Sequence, residues 1–456
     1  MKFDAIVIGS GQGGNPLAQK LAGLKQSVAL IEERHLGGTC INTGCTPTKT
    51  FVASAQVAHY ARSASRWGVN VSDVSVDLKA VVARKNKVVE SSRSGQEKRD
   101  KGLESLRLFR SRASFIGPHQ IKVGDDTLES DRIFIDTGGR PTIPRISGLD
   151  SISYLTNESI LDIVDLPEHL IVLGGGYVGL EFAQMFRRFG SKVTVVHNSV
   201  QILPHEDVDI ASELQKALEA EGIEFHLDAE AKKTDKRDGG VAVTYQRASG
   251  SQTVSGSHLL VATGRTPNTD SLDLDKAGVE TDGKGYIKVN GRLETSAAGI
   301  WAIGDVKGGP AFTHISYNDF QVIYGNLIEG RNFSVDHRIV PYGVFTDPQL
   351  GGIGLTEKRA REKGYRLKIG TLPLTSVSRA IERGETAGLM KIVIDASTDQ
   401  ILGASILASE GAEIVQILTP LMLAKQPYTL LKGAIYIHPT MAEGFFNLLE
   451  SVKEVS

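Results

Sequence analysis

A short strand that runs into a glycine-rich loop opens the chain and restricts its fold more than any other feature. Residues 3–8 alternate like a buried β-strand, residues 9–14 read Gly-Ser-Gly-Gln-Gly-Gly, and a helix-like segment follows. A second strand, residues 27–31, ends at Glu32. Such glycines let backbone N–H groups approach a diphosphate at a helix N-terminus, and an acid about twenty residues on can bind ribose hydroxyls. The ordered pattern predicts a dinucleotide-binding fold rather than an isolated tight turn. The candidate contacts are Gly9, Gly11, Gly14 and Glu32.

The same pattern recurs in the second half of the chain. Residues 170–173 read as a strand, residues 174–179 form a second glycine loop, and residues 193–196 form the strand after which a ribose-binding residue is expected. Residues 260–267 read Leu-Val-Ala-Thr-Gly-Arg-Thr-Pro and resemble Asp-Thr-Gly-Gly-Arg-Pro at residues 136–141. This repetition predicts two dinucleotide-binding domains. The further candidate contacts are Thr137, Gly138, Gly174, Gly176, Gly179, His197, Gly264 and Arg265.

The only two cysteines of the chain, Cys40 and Cys45, are separated by four residues within the segment GGTCINTGCTPTK, residues 37–49. Two cysteines cannot complete a tetrahedral zinc site without histidines. A redox pair fits this spacing better, and no metal site is predicted. The spacing alone leaves open a pair of buried apolar cysteines.

The residues after Gly38 resemble a helix start, with Thr39 expected as the N-cap and Pro47 expected to end the pattern. In an undistorted helix the two cysteines would lie roughly 7.5 Å apart along the axis. A disulfide needs Cα atoms about 4.4–6.8 Å apart. The helix must therefore deform if the sulfurs bond, and Gly44 is placed to allow this. A helix N-terminus also favours a thiolate.

Residues 37–49 resemble the active-site motif GGTC-x₄-C-x-P-x-K of the FAD-dependent pyridine nucleotide–disulfide oxidoreductases, which include dihydrolipoamide dehydrogenase, glutathione reductase and mercuric reductase. The resemblance implies an α/β fold with two Rossmann-like dinucleotide-binding domains and a C-terminal α+β dimerisation domain. It also implies FAD and NAD(P)H as cofactors. Residues 295–305 resemble the second FAD motif of the family, in which Asp305 would contact the ribityl chain. Gly38, Thr39 and Lys49 would also contact the flavin.

The resemblance assigns catalytic roles to the cysteines and to a distant histidine. Cys45 would be the thiolate next to the flavin, and Cys40 the exposed thiol that exchanges with substrate. Residues 438–443, His-Pro-Thr-Met-Ala-Glu, resemble the catalytic signature of the interface domain. His438 would therefore be the acid–base group, because an imidazole titrates near neutral pH, and Glu443 would orient it.

Four more residues receive roles from their position in the family. Lys49 matches the lysine beside flavin N5 and Glu181 its ion-pair partner, although a surface pair of little consequence is the alternative. Tyr177 takes the place of the gating tyrosine. His197 stands where NAD-using members usually carry an acid, which removes repulsion against a 2′-phosphate, but no arginine pair is nearby. NADPH is therefore only slightly favoured over NADH.

The resemblance extends over essentially the full chain and predicts a homodimer. Strands at residues 391–395 and 401–408 precede an apolar helical segment, residues 412–424, which is the candidate interface. The expected divisions are an FAD-binding domain at 1–147, an NAD(P)-binding domain at 148–270, a second FAD-binding or central part at 271–335 and the dimerisation domain at 336–456.

Composition excludes two classes of partner. A net charge of −2 and a pI near 6.6 give no electrostatic basis for binding nucleic acid or an anionic membrane. The start of the chain lacks the pattern of a signal peptide, and no run approaches eighteen apolar residues. A dithiol in an otherwise cysteine-free chain suits a reducing cytoplasm, where we expect the protein to act.

The leading function is NAD(P)H-dependent reduction of a small-molecule or protein disulfide, or the reaction of a dihydrolipoamide-type dithiol. Residues 44–50 and 344–357 look closer to mercuric reductase than to dihydrolipoamide dehydrogenase. The additional C-terminal cysteine pair and the N-terminal metal-binding domain of mercuric reductase are expected to be absent. Reduction of a soft metal ion such as Cu²⁺ is therefore an alternative. A flavoprotein whose dithiol senses redox state and whose surface binds a partner is an alternative of a different class.

Overall fold

The two glycine loops predict parallel strands joined by helices, and this arrangement is present twice in the chain. The computed structural model describes residues 1–455. Its helices are α1 (Gly14–Gly23), α2 (Gly38–Asn42), α3 (Cys45–Ser63), α4 (Leu78–Lys101), α5 (Tyr177–Phe189), α6 (Val208–Ala220), α7 (Thr313–Leu327), α8 (Glu357–Glu362), α9 (Ser378–Arg383), α10 (Gly411–Ile414), α11 (Leu418–Leu423), α12 (Thr429–Lys432) and α13 (Gly444–Glu450).

Its strands are β1 (Ala5–Ile8), β2 (Val28–Ile31), β3 (Leu106–Phe109), β4 (Ala113–Gly117), β5 (Gln120–Val123), β6 (Asp126–Glu129), β7 (Ile133–Ile135), β8 (Gly139–Pro141), β9 (His169–Leu173), β10 (Lys192–Val196), β11 (Ile223–His226), β12 (Glu230–Arg237), β13 (Gly240–Arg247), β14 (Gly250–Gly256), β15 (His258–Val261), β16 (Arg265–Pro267), β17 (Ile300–Ala302), β18 (Pro341–Val344), β19 (Gln349–Gly354), β20 (Leu367–Pro373), β21 (Leu389–Asp395), β22 (Ile401–Ala408) and β23 (Lys453–Val455). Short 3-10 turns include Gly304–Lys307 and Val415–Ile417.

The chain divides into two compact units, each built from three separate segments. The first unit contains residues 1–51, 80–142 and 264–338. The second unit contains residues 52–79 and 143–263 and the chain from residue 339 onwards.

A five-stranded parallel sheet, in the order β17-β7-β1-β2-β3, forms the centre of the first unit. Every residue of β1 is buried, because successive side chains face cores on opposite sides of the sheet. Ile6 and Ile8 belong to one core, whereas Ala5 and Val7 pack with α1 in the other. The predicted strands at 3–8 and 27–31 are confirmed, although each is shorter at its N-terminal end.

Two smaller sheets complete the first unit. Strands β4, β5 and β6 form an antiparallel meander. Strands β8 and β16 pair antiparallel, with Gly139 opposite Pro267 and Pro141 opposite Arg265. The two similar Thr-Gly-Arg segments of the sequence therefore lie side by side.

The second unit contains the second nucleotide-binding pattern. Its parallel sheet has the order β11-β10-β9-β15, and β12, β13 and β14 form an antiparallel meander. The predicted strands at 170–173 and 193–196 correspond to β9 and β10, each with one more residue at its start.

A six-stranded antiparallel sheet, in the order β18-β19-β22-β21-β20-β23, also belongs to the second unit. Its apolar face packs with α11 and α13 in one core. The predicted helical segment at 412–424 consists of α10, the turn Val415–Ile417 and α11 rather than one helix. Pro420 explains the interruption, because it has no N–H to donate to an earlier carbonyl and is tolerated in the first turn of α11. None of the helices within residues 1–455 has the length and apolarity needed to cross a membrane.

Candidate active site

The first glycine loop connects β1 to α1 in a backbone conformation that requires glycine. Gly9 has φ +100°, and a Cβ there would overlap the carbonyl oxygen of Asp136. A Cβ at Gly11 would lie 2.6 Å from Asp136 Oδ2. Gly14 is the first residue of α1, so the loop delivers backbone N–H groups to a helix N-terminus.

Glu32 follows β2 and holds the loop from the other side. Its Oε2 accepts hydrogen bonds from Ser10 N at 3.0 Å and from Ser10 Oγ at 2.7 Å, while Oε1 accepts one from Arg34 N at 2.8 Å. Because each carboxylate oxygen has two acceptor positions, Glu32 keeps capacity for ribose hydroxyls.

The cysteine segment lies against this loop. Gly37 donates its N–H to Ser10 O at 3.1 Å, and a Cβ at Gly38 would lie 2.9 Å from Gly11 Cα. Gly37, with φ +97°, is the N-cap of α2. The prediction that Thr39 is the N-cap was wrong, because the left-handed backbone of Gly37 starts the helix earlier; Thr39 lies inside α2, where its carbonyl accepts Thr43 N–H at 2.9 Å.

The expected deformation between the cysteines takes the form of a break between α2 and α3. The break falls at Thr43 and Gly44, where a Cβ on Gly44 would lie 2.8 Å from Thr39 O. The prediction that Pro47 ends the helix was wrong. Pro47 is in the first turn of α3, where a missing N–H removes no helical hydrogen bond.

The two thiols have different surroundings. Cys45 is the first residue of α3, is exposed, and has its Sγ 3.2 Å from Thr313 Oγ1. Cys40 was expected to be the exposed thiol but is half-buried, because α2 packs against the glycine loop. A hydrogen bond with Cys45, together with burial, raises the pKa of Cys40 well above the usual thiol range, against smaller opposing effects of Thr313 and Lys49. These surroundings therefore favour the neutral form of the Cys40 thiol.

Asp305 lies in the turn Gly304–Lys307, directly after β17. Its Oδ2 is 3.3 Å from Arg265 Nε. Asp319 is fully buried and fixes this turn, because its carboxylate accepts Gly304 N–H at 2.8 Å. Asp319 also pairs with Lys307 at 3.2 Å and with Arg338 at 2.7 Å.

Other predicted residues of the first unit lie where β8 pairs with β16. Thr137 Oγ1 donates to Asn268 O at 2.9 Å, and Gly138 has φ +64°. Arg265 Nη2 donates to Gly139 O at 2.5 Å. Gly264 and Arg265 therefore belong to the first unit with Thr137 and Gly138, although their position in the sequence follows the second glycine loop.

The second glycine loop repeats the first. Gly174 has φ +115°, and a Cβ there would overlap the carbonyl oxygen of Ala262, as at Gly9 and Asp136. A Cβ on Gly179 would likewise overlap the carbonyl oxygen of Gly174. Gly176 is the N-cap of α5. Tyr177, the first residue of α5, is partly exposed.

Glu181 and His197 are buried polar residues near this loop. Glu181 lies in α5, and its Oε1 accepts Phe345 N–H at 2.8 Å. His197 follows β10, and a Cβ on Gly175 would lie 2.8 Å from its imidazole. His197 Nε2 is buried without a hydrogen-bond partner, and burial lowers its pKa. The imidazole is therefore neutral at physiological pH.

His438 and Glu443 form a hydrogen-bonded pair at the surface of the second unit. His438 is exposed, and its Nδ1 lies 3.0 Å and 3.2 Å from the two carboxylate oxygens of Glu443. Thr440 Oγ1 accepts Glu443 N–H at 3.2 Å and so fixes the start of this turn. A carboxylate on Nδ1 keeps the hydrogen on that nitrogen and leaves Nε2 for proton exchange.

The first unit thus gathers the glycine loop, both cysteines, Lys49 and Asp305, and the second unit holds Tyr177, Glu181, His197, His438 and Glu443. The pairing of Lys49 with Glu181 stays a prediction. Sequence reasoning missed Thr313, for which no motif gives a signal. It also missed Asp136, although a comparison of the two repeats at Asp136 and Ala262 could have found it. No cluster of three or more His, Cys, Asp or Glu residues within residues 1–455 could hold a metal ion.

Residues 3–319 match the family model described as pyridine nucleotide-disulphide oxidoreductase, and residues 340–448 match the dimerisation domain of that family. The chain belongs to the pyridine nucleotide-disulphide oxidoreductase family. Among the relatives of this oxidoreductase is the probable pyridine nucleotide-disulfide oxidoreductase RclA of Escherichia coli K12, which is 36% identical over 460 residues that include 99% of this chain and 100% of the relative. Another is the mercuric reductase of Lysinibacillus sphaericus, 35% identical over 91% of this chain and 76% of the relative.

A solved structure of this oxidoreductase family is equally similar. The Cu(II) complex of the HOCl-induced flavoprotein disulfide reductase RclA from Escherichia coli superposes with a TM-score of 0.90 at 36% identity, over 99% of both chains. The predicted family, α/β fold class and dimerisation domain are confirmed. The oxidoreductase is therefore a flavin-dependent enzyme that uses FAD and a pyridine nucleotide.

The residues of the first unit fit FAD on structural grounds. The glycines of the first loop stand where any side chain would collide with neighbouring atoms, so the loop at the N-terminus of α1 is lined by backbone. Such a loop suits a diphosphate. Glu32 retains acceptor capacity for a ribose, and the partly exposed carboxylate of Asp305 is held on a rigid turn.

Proposed function

We propose that the oxidoreductase passes electrons from NAD(P)H to a small-molecule or protein disulfide through the Cys40–Cys45 pair. The observation that carries this proposal is the position of the two cysteines on either side of the break between α2 and α3, in a segment that lies against the glycine loop. When bound, FAD supplies a two-electron relay between the nicotinamide and this pair. A dihydrolipoamide-type dithiol is the substrate if the same reaction runs in reverse.

The two sulfurs of the reduced pair have different tasks: one holds the thiolate, and the other attacks the substrate. Cys45 holds the thiolate, which the N-terminus of α3 and the hydroxyl of Thr313 stabilise. Cys40 attacks the substrate disulfide, forms a mixed disulfide and releases the first substrate thiol. The Cys45 thiolate then attacks Cys40 sulfur, which releases the second substrate sulfur as a thiolate and restores the protein disulfide.

This exchange needs a group that moves one proton. Because the pKa of Cys40 is raised by its hydrogen bond with Cys45 and by burial, its proton must be taken by a base before attack. His438 is our candidate: Nε2 takes the proton from Cys40 and returns it to the first substrate thiolate. Glu443 keeps the imidazole in the required tautomer.

We assign the FAD site to residues of the first unit: Gly9, Gly11, Gly14, Glu32, Gly38, Thr39, Lys49, Thr137, Gly138, Asp305, Gly264 and Arg265. The assignment is supported by the contact of the cysteine segment with the glycine loop through Gly37 and Gly38.

We assign the NAD(P)H site to Gly174, Gly176, Tyr177, Gly179 and His197, with Tyr177 as the gate and Glu181 as the partner of Lys49. His197 is neutral and brings neither the negative charge that repels a 2′-phosphate nor a positive charge that attracts one. NADPH is therefore preferred slightly.

A homodimer in which each subunit lends its histidine to the other's dithiol is part of the proposal. Large apolar side chains are exposed in the dimerisation domain, among them Ile435 at 100%, Ile437 at 79% and Phe446 at 51%. Such a surface beside His438 suits a two-fold contact with a second copy. We retain the four domains in their predicted order, but move the division expected at 270 to 263, because Gly264 and Arg265 belong to the first unit. A reducing cytoplasm is the proposed place of action.

Reduction of Cu²⁺ is the second candidate. It is favoured by the solved Cu(II) complex of the similar RclA and by the exposure of Cys45 in this chain. Thiolates are ligands of soft copper ions.

One experiment separates these functions. The purified enzyme is supplied anaerobically with NADPH or NADH and with a panel of disulfides, lipoamide and Cu²⁺, and nicotinamide oxidation is followed. Turnover of a disulfide that is lost in Cys40→Ser supports the leading proposal. Turnover with Cu²⁺ alone supports the second candidate. Absence of turnover with every acceptor would contradict both and favour a redox sensor.

A further inference from the structure

Asp136 is a buried carboxyl group that the proposed chemistry does not use. It follows β7, its N–H is donated to Ile8 O at 2.7 Å, and 6% of its surface is exposed. Burial of an acid without a cation is unfavourable unless the acid is neutral or well hydrogen-bonded. Its position therefore calls for an explanation.

The side chain of Asp136 lies between the two segments proposed to hold FAD. Oδ2 accepts Gly14 N–H at 2.6 Å, at the N-terminus of α1. On the other side, Ser316 Oγ lies 3.5 Å from Oδ1, and a Cβ on Gly304 would be 3.0 Å from the same oxygen. Asp136 thus hydrogen-bonds to the glycine loop and lies against both Ser316 of α7 and the turn that presents Asp305.

The charged groups around Asp136 are carboxylates, or cations that already pair with another carboxylate. Burial has the largest effect on the pKa of Asp136, and the carboxylates of Asp305 and Asp319, which face it from the turn and from α7, act in the same direction. Together they raise this pKa well above the usual range, against the lowering effect of hydrogen bonds from the backbone N–H groups of Gly14 and Gly13. The basic groups nearby are engaged elsewhere, because Arg265 pairs with Asp305 while Lys307 and Arg338 pair with Asp319. Within residues 1–455 no side-chain cation is therefore left to pair with an ionised Asp136, and the diphosphate of FAD would add more negative charge.

The internal repeat shows that this fold does not require an acid here. The carbonyl of Asp136 faces Gly9, and in the second unit the carbonyl of Ala262 faces Gly174 in the same way. One glycine loop is thus built against alanine and the other against aspartic acid. The carboxyl group is a particular addition of the first loop.

We propose that Asp136 is a positioning residue of the FAD site that acts as a neutral carboxylic acid, holding the glycine loop to the Gly304–Asp305 turn without adding charge beside the diphosphate. The inference rests on the proposed FAD site.

A proton-dependent affinity for FAD follows. The negative charge of bound FAD raises the pKa of Asp136 further, so binding takes up a proton. FAD retention is therefore complete below the pKa that Asp136 has in the FAD-free protein. Retention weakens as the pH rises above that value. The dissociation constant rises by up to about tenfold per pH unit in this window, which lies above the usual aspartate value of about 3.9.

The test is FAD retention after dilution of the purified holoenzyme between about pH 5 and 9, followed by the fluorescence of released flavin. Wild type is compared with Asp136→Asn, which keeps the shape without a titrating proton, and with Asp136→Ala. Asp270→Asn is the matched control, because Asp270 is exposed and paired with Arg140 at 2.9 Å. We expect wild type and the control to release FAD as pH rises, Asp136→Asn to hold it at all pH values, and Asp136→Ala to hold it less well throughout.

Parallel release curves for wild type and Asp136→Asn would overturn the inference. So would an Asp136→Asn variant that releases FAD as readily as Asp136→Ala at the lowest pH, because a carboxylate would then be the required form. A protein that contains no flavin at any pH would instead contradict the proposed FAD site itself.

Discussion

Two sulfurs of the same residue type are made different by their immediate neighbours. Cys45 has a helix N-terminus and the Thr313 hydroxyl at 3.2 Å, whereas Cys40 is half-buried and hydrogen-bonded to Cys45. The cysteine motif could be predicted from the sequence because it is local. Thr313 could not, because it lies 268 residues from Cys45 and carries no motif of its own.

Loss of the Thr313 hydroxyl should destabilise the Cys45 thiolate. A hydrogen bond to a charged group contributes about 1.5–3 kcal/mol, so Thr313→Val should raise the lowest thiol pKa by about one to two units. The pH dependence of iodoacetamide alkylation of the reduced protein measures this change. Thr313→Ser should retain the wild-type profile. Coincident profiles for Thr313→Val and wild type would contradict the assigned role.

His197 should control coenzyme preference through the charge that it lacks. We expect kcat/KM to be higher with NADPH than with NADH by less than about tenfold, or 1.4 kcal/mol. His197→Glu should move the preference toward NADH, because a carboxylate repels a 2′-phosphate and can accept a ribose hydroxyl. His197→Gln is the neutral control. A wild-type preference for NADH above tenfold would refute this account.

At the scale of elements, strands and glycine loops were easier to predict than helix ends. The buried alternation of β1 and the glycines after it are local signals that tertiary contacts reinforce. The limits of α2 and α3 depend instead on the left-handed Gly37 and on the close approach of Gly44 to Thr39, which no local propensity reveals. Pro47 is compatible with either the end or the first turn of a helix, and in the structure it lies in the first turn of α3.

A buried ion-pair network joins several elements of the second unit. Arg188 of α5 is 6% exposed and donates to Glu221 at 2.8 Å and 2.6 Å and to Asp347 at 2.7 Å. Arg188→Met leaves two acids without their cation and should lower stability by about 3 kcal/mol. Arg366→Met, which removes an exposed pair with Glu454, should cost less than about 1 kcal/mol. The midpoints of urea unfolding at pH 7 measure both.

The same network should respond to acid. Burial opposes ionisation of Asp347, but Arg188 outweighs this effect and lowers its pKa. The stabilisation is therefore complete above the unfolded-state value of about 3.9 and is lost as pH falls through the lower folded-state pKa. The difference between wild type and Arg188→Met should shrink below about pH 4. A difference that stays constant in acid would argue against an ionic network.

At the scale of the whole molecule, the internal repeat and the motif sufficed to predict the fold class. The interleaving of segments was not predictable, since residues 52–79 belong to the second unit although they continue α3 from the first. Long-range contacts decide such assignments, and a single sequence does not encode them in any local pattern.

Sharing of sites between subunits can be tested by mixing variants. Cys40→Ser and His438→Ala homodimers should each be nearly inactive toward a disulfide while still accepting electrons from NADPH. After subunit exchange, activity should recover to about a quarter of wild type, because half of the dimers are mixed and each has one intact site of two. Absence of recovery in heterodimers isolated by two tags would place His438 within its own subunit or outside the reaction.

The central claim, that electrons from NADPH reach the Cys40–Cys45 pair, is tested most directly by counting thiols. These are the only cysteines of the chain, so every thiol detected belongs to the pair. The oxidised holoenzyme is incubated anaerobically with or without NADPH, denatured, and titrated with a chromogenic disulfide reagent. Because the dithiol couple carries two electrons, we predict that about two thiols per chain appear with NADPH and almost none without it. Oxidation of NADPH by the flavoprotein with no gain in thiols would contradict the claim.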